Sequence, residues 1–134
     1  MNIEETEVTP LKPVAIVIDD DPSMLRALRR LISGAGFEVR TFDRPSDLLR
    51  AELPGERACL IVDVHLPEMN GVELCERLTA SGCKLPVIMI TAHSDDETRA
   101  LAGTAHPVAC LVKPFPRDQL VHALNDAIHL KTAS

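Results

Sequence analysis

Ala58-Cys59-Leu60-Ile61-Val62-Asp63 is an unbroken apolar run that stops on a carboxylate. Three other stretches share that form. Val14-Ala15-Ile16-Val17-Ile18 stops at Asp19-Asp20-Asp21, Val87-Ile88-Met89-Ile90 stops at Thr91, and Val108-Ala109-Cys110-Leu111-Val112 stops at Lys113. Continuously apolar runs, as opposed to alternating ones, suit strands covered on both faces, as in a parallel sheet between helices. In such sheets ligands bind beyond the carboxyl ends of the strands. As parallel neighbours, the four runs would bring three acids, a fourth acid, a hydroxyl and an ammonium to one rim. That set suits a metal ion and a phosphate.

Helical patterns fill the intervals. Asp21 followed by Pro22 reads as an N-cap with proline in the first turn, Met24, Leu25, Leu28, Leu31 and Ile32 mark one helical face, and Gly34 and Gly36 end it. Phe37 to Phe42 alternates apolar and polar residues, as an edge strand does. A short helix is expected over 45–51, a turn from Pro67 to Gly71, and a helix striped by Val72, Leu74, Cys75 and Leu78. A polar helix near 95–103 and a last one over 117–130, burying Leu120, Val121, Leu124 and Ile128, complete five βα units. The fold class that follows is α/β, a doubly wound five-stranded parallel sheet in three layers. Residues 1–13 read as a flexible lead-in, 14–130 as the domain and 131–134 as a tail.

The bulk numbers exclude several classes. A chain of 134 residues suits one domain with an ordinary core. With three Phe and no Trp or Tyr, that core must be aliphatic. The formal net charge of -6 argues against direct nucleic-acid binding, which wants a basic face. No apolar stretch approaches the roughly 20 residues of a membrane span, and the acidic start (Glu4, Glu5, Glu7) is unlike a secretory signal. The four cysteines have no metal-ligand spacing, and Cys59 and Cys110 lie inside apolar runs as small hydrophobes. A cytoplasmic location is the expectation.

Each strand end has its own chemistry. Asp19 and Asp20 are like charges at one strand end, which destabilise one another unless a cation intervenes. Oxygen-rich clusters with few protein ligands suit Mg²⁺. Asp63 can act as a carboxylate nucleophile and accept a phosphoryl group. The Lys113 ammonium and the Thr91 hydroxyl could then neutralise oxygens of that group, with small Ala92 leaving room for it.

These residues together resemble a response-regulator receiver domain, the CheY-like module of two-component signalling. The resemblance runs from about Val14 to Ile128 and rests on Asp19-Asp20, on Asp63-Val64-His65-Leu66-Pro67-Glu68-Met69-Asn70-Gly71, on Thr91-Ala92 and on Lys113-Pro114-Phe115. It implies a flavodoxin-like (βα)5 sheet of order 2-1-3-4-5 and phosphorylation on Asp63. It implies Mg²⁺ bound by Asp20, Asp63 and the backbone carbonyl of His65, with Asp19 holding a metal water. Thr91 and Lys113 would contact the phosphoryl group, and the Lys113-Pro114 bond would be cis. The implied partners are a histidine kinase or histidine phosphotransfer protein, and a downstream protein target met through the fourth helix, last strand and last helix. That face also serves family homodimers. Such a domain catalyses only its own phosphorylation and dephosphorylation.

Two positions depart from the family pattern. Cys110 stands where an aromatic usually reports phosphorylation, and Ala105-His106-Pro107 replaces a small-residue turn. His65 and His93, two positions beyond Asp63 and Thr91, flank the expected path of an attacking water and could tune the acyl-phosphate lifetime, whereas His106, His122 and His129 read as turn or surface residues. Because the sequence stops shortly after the last helix, a stand-alone receiver is the expectation. The alternatives are the receiver fragment of a longer transcriptional regulator and a pseudo-receiver that binds partners without phosphorylation. A haloacid-dehalogenase-like hydrolase would need an acid two residues after Asp63, where His65 stands.

Overall fold

The computed structural model describes residues 12–129. The lead-in and the tail, apart from Lys12 and Pro13, lie outside the described residues. The element order is β1 (Val14–Ile18), α1 (Pro22–Gly34), β2 (Glu38–Phe42), α2 (Pro45–Arg50), β3 (Ala58–Asp63), α3 (Gly71–Ala80), β4 (Val87–Thr91), α4 (Asp96–Gly103), β5 (Ala109–Val112) and α5 (Arg117–His129). All strands are parallel, in the order β2-β1-β3-β4-β5. The register pairs Val14 with Ala58, Leu60 with Val87 and Thr91 with Val112, so the carboxyl ends of the central strands align at one rim.

Successive strand residues point to opposite faces, and the continuous runs therefore feed two cores. Val14, Ile16 and Ile18 join Leu60, Val62, Met89 and the apolar stripe of α3 on one side. Ala15 and Val17 join Ile61, Ile88, Ile90 and the buried faces of α1 and α5 on the other. The largest fully buried side chains are all Ile, Leu or Met, as the aromatic-poor composition requires. Each contributes about 1.5–3 kcal/mol by leaving water.

Helix starts are set by side chains. Asp21 Oδ1 accepts from Ser23 N–H at 2.9 Å, Asn70 Oδ1 from Glu73 N–H at 2.8 Å, and Asp95 Oδ1 from Thr98 N–H at 2.7 Å. Gly36, at φ +97, turns the chain after α1 so that Phe37 N–H reaches Ile32 O. Helix α2 is capped from a distance: its N-cap residue Arg44 makes no side-chain cap bond. Glu68, 22 residues later, accepts from Ser46 N–H at 2.9 Å and from Ser46 Oγ at 3.1 Å. Losing a cap costs about 0.5–2 kcal/mol. Glu68→Ala is therefore expected to lower the melting temperature, and Glu68→Gln to lower it less; equal losses would show that the bonds to Ser46 are not the cause.

Two expectations need correction. The sequence of Val108–Val112 predicts a strand covered on both faces, with Cys110 a small hydrophobe inside it. Strand β5 pairs only with β4, so it is an edge, Leu111 alone is buried, and the Cys110 thiol is exposed. On α5 the fully buried residues are Leu120, Ala123, Leu124 and Ala127, with Val121 and Ile128 half-buried. The buried stripe includes the small residues Ala123 and Ala127. Cys59 and Cys75 are buried, and burial pushes both thiols up to about 12, which keeps them protonated.

Candidate functional site

Asp19, Asp20, Asp63, Thr91 and Lys113 come from the residues at or just after the ends of β1, β3, β4 and β5, and the structure gathers them on one rim. One oxygen from each of Asp19, Asp20 and Asp63 lies within 4.8 Å of the others. Asp19 is fully buried and Asp63 nearly so, whereas Asp20 is exposed and open to an arriving ion. The donors are all hard carboxylate oxygens, and an exposed edge leaves room for water. That chemistry fits Mg²⁺.

Lys113 reaches across the rim. Its Nζ donates to Asp19 Oδ2 at 2.8 Å and to Asp63 Oδ2 at 3.0 Å, and its side chain is only 15% exposed. The Lys113 backbone N–H bonds Thr91 O at 2.7 Å, fixing the end of β5 against β4, and the Lys113-Pro114 peptide is cis. Burial alone would pull the Lys113 ammonium down. The bonds and charges of Asp19 and Asp63 outweigh it and hold the group above its ordinary value. Asp63 is shifted up, by burial first; the His65 N–H and Lys113 pull back, and the Asp19 charge adds to the rise. The Asp63 carboxylate thus sits buried beside a second acid, with the Lys113 ammonium in contact with both.

Two matching turns shape the rim. Asp63 Oδ1 accepts from His65 N–H at 2.9 Å, and Thr91 Oγ1 accepts from His93 N–H at 3.0 Å. Thr91 is buried, and Ala92 beside it is exposed and small. His65 and His93 are both exposed, and their rings meet edge to face with centroids 4.5 Å apart. Each histidine is visible singly in the sequence; their meeting is not, because it depends on β3 and β4 being neighbours that end in equivalent turns. Gly71 lies tight against the site: a Cβ there would meet the Asp63 backbone oxygen and lie 2.8 Å from Val62 Cγ1. Asp43, Arg44, Pro67 and Glu68 line a cleft beside Asp20, of about 350 Å³.

Away from the rim, His106 has φ 50 in the turn before β5, and His122 and His129 are exposed on α5. His122 lies 3.4 Å from Asp126, and His129 pairs with Asn125 O. These three take no part in the site.

Residues 15–125 match the model of the response regulator receiver domain family. The transcriptional regulatory protein FixJ of Bradyrhizobium diazoefficiens is 37% identical over 113 residues, 84% of this chain and 55% of that protein. The transcriptional regulatory protein TdiR of Thauera aromatica is 32% identical over 114 residues, 85% of this chain and 50% of that protein. Among solved structures, the response regulator StyR superposes with a TM-score of 0.80 at 40% identity, covering 88% of this chain and 60% of StyR. The chain spans about half the length of the curated relatives it matches.

Proposed function

The chain belongs to the response regulator receiver family, and from that premise we propose that it accepts a phosphoryl group on Asp63 from a histidine kinase or histidine phosphotransfer protein. The observation that carries this reading is the contact of Lys113 Nζ with both Asp19 and Asp63 in a cluster of three carboxylates at aligned strand ends. Asp63 Oδ attacks the donor phosphorus, the phosphorus–leaving-group bond breaks, and an acyl phosphate results. Mg²⁺ held by Asp20, Asp63 and the His65 backbone carbonyl, with Asp19 through a water, would neutralise one phosphoryl oxygen. Lys113 already lies 3.0 Å from Asp63 and supplies positive charge for a second, and the Thr91 hydroxyl is a donor for a third.

Output would be a population shift between two conformers. Moving from mostly off to mostly on needs about 5.5 kcal/mol of differential stabilisation. The face of α4, β5 and α5 is where a downstream protein, or a second copy, would read that shift. The relatives named above are transcriptional regulatory proteins about twice as long as the matched stretch, and in a longer chain of that kind the same chemistry would govern an attached output unit. The reaction is a chain modifying itself, in the manner of a signalling module, and a cytoplasmic setting fits it; among the described residues no helix is long and apolar enough to cross a membrane.

Incubation with acetyl phosphate and Mg²⁺, followed by intact mass measurement, tests the proposal. One phosphoryl adduct that needs Mg²⁺ is expected. Its absence would favour a pseudo-receiver, a reading that the exposed Cys110 at the usual aromatic position keeps in view. Decay of the adduct tests the histidines. With both imidazoles exposed beside the acceptor, His65→Asn or His93→Ala is expected to change the phosphoryl lifetime severalfold, by releasing or withdrawing a water path. Unchanged lifetimes in both variants would remove that role.

A further inference from the structure

We propose that His65 and His93 together form a second metal site, for a borderline divalent ion such as Ni²⁺ or Zn²⁺, at the mouth of the acceptor rim. The placement follows from the backbone. Strands β3 and β4 are parallel neighbours with Asp63 opposite Ile90. Each ends in a turn closed by a hydrogen bond from the residue two positions on, His65 N–H to Asp63 and His93 N–H to Thr91. Equivalent turns on adjacent strands carry the two imidazoles out together, and they meet with centroids 4.5 Å apart and planes at 68°.

That separation is compatible with chelation. Two imidazoles bound cis to one ion, each at about 2.0–2.1 Å through nitrogen, have ring centres roughly 4.5–5 Å apart. The rings now meet edge to face, so binding one ion would require each to turn a nitrogen toward it. Both rings are exposed, so an ion can enter and keep water in its other positions. Asp95, the exposed cap of α4, stands two residues beyond His93 and adds negative charge near the ring. Imidazole favours Zn²⁺, Ni²⁺ and Cu²⁺, whereas carboxylates favour Mg²⁺. The rim therefore offers two adjoining sites that sort ions by softness.

An ion held there would stand in the way of a donor approaching Asp63 and slow phosphorylation. This consequence, unlike the binding itself, rests on Asp63 being the acceptor. Titration of the chain with Ni²⁺ by calorimetry, in saturating Mg²⁺ and in a Cys110→Ser background, tests the site. One Ni²⁺ per chain is expected. Loss of outer-shell support alone weakens metal sites about 10–100-fold, so His65→Ala and His93→Ala should each weaken binding at least tenfold. The exposed controls His122→Ala and His129→Ala should leave it within about twofold, on the same scale. Unchanged affinity in the His65→Ala/His93→Ala double variant, with circular dichroism confirming the fold, would overturn the site. In the second arm, saturating Ni²⁺ should slow adduct formation from acetyl phosphate severalfold in the Cys110→Ser chain and not in the double variant. Equal slowing in both would overturn the blocking role. No adduct even in Mg²⁺ alone would overturn Asp63 as acceptor, and the titration would still decide the metal site.

Discussion

Asp63→Asn is expected to abolish the phosphoryl adduct and, at neutral pH, to raise the melting temperature of the metal-free protein. The first effect follows from chemistry, since an amide cannot take the place of the attacking carboxylate. The second follows from where the carboxylate sits. Burial is the largest influence on Asp63 and lifts it above its ordinary value of 3.8, the Asp19 charge adds to the rise, and the His65 N–H and Lys113 offset only part. A carboxyl whose folded value lies above its unfolded one contributes stability that is fully present below the unfolded value and is lost as pH rises through the folded value. At neutral pH the ionised form therefore weakens the fold. Asparagine removes the charge and keeps an oxygen for the His65 N–H. The gain over wild type should shrink as pH falls through the folded value and wild-type Asp63 takes up its proton. Added Mg²⁺ should stabilise wild type and do less for the variant, because a ligand stabilises only the state it binds. Thermal melts in chelator across pH would check this; a melting temperature at neutral pH below wild type would mean that the bond from Lys113 outweighs burial.

Gly71→Ala is expected to be the most damaging of the glycine-to-alanine changes. Gly71 opens α3, and its N–H donates to Val64 O at 2.7 Å, pressing the start of the helix against the end of β3. An added Cβ would meet the Asp63 backbone oxygen and the Val62 side chain, whose Cγ1 lies 2.8 Å away. Backbone at the centre of a sheet cannot yield as a flexible side chain can. Overpacking of this kind costs about 1–3 kcal/mol or more, which in a domain of this size lowers the melting temperature by roughly 3–15 °C. Since Asp63 itself would have to move, adduct formation should fall as well. Ala at Gly55, where nothing lies within 4 Å, is the control, and equal melting temperatures for the two variants would sink the argument.

The sheet and most of the rim were legible because burial on two faces and chemistry at strand ends both write themselves into local sequence. Ala58–Val62 is apolar throughout, as a strand covered on both faces is, and Asp63 after it falls at the strand end. What periodicity does not reveal is which apolar run becomes the edge. Val108–Val112 reads like the central runs, yet β5 has one neighbour, and Cys110 faces out. Contacts between turns were equally hidden. Glu68 capping α2 through Ser46 joins residues 22 apart, and the His65–His93 ring pair joins two loops whose closeness is a property of the sheet. On α5, the alanines at 123 and 127 carry little hydrophobic weight in a pattern, yet they are buried alongside Leu120 and Leu124.

The division of the interior by the sheet has a consequence for how such a chain can drift in evolution. Ile16 and Val17 are adjacent in the chain, yet they belong to separate packed compartments, one shared with α3 and the other with α1 and α5. Volume lost at one can be restored only by a residue on its own side. Repairs would therefore pair residues distant in sequence, Ile16 with Leu60 or Val17 with Ile61, and pass over immediate neighbours. Each compartment can thus accumulate change while the other is held constant, with the carboxylate rim suspended between them at the strand ends.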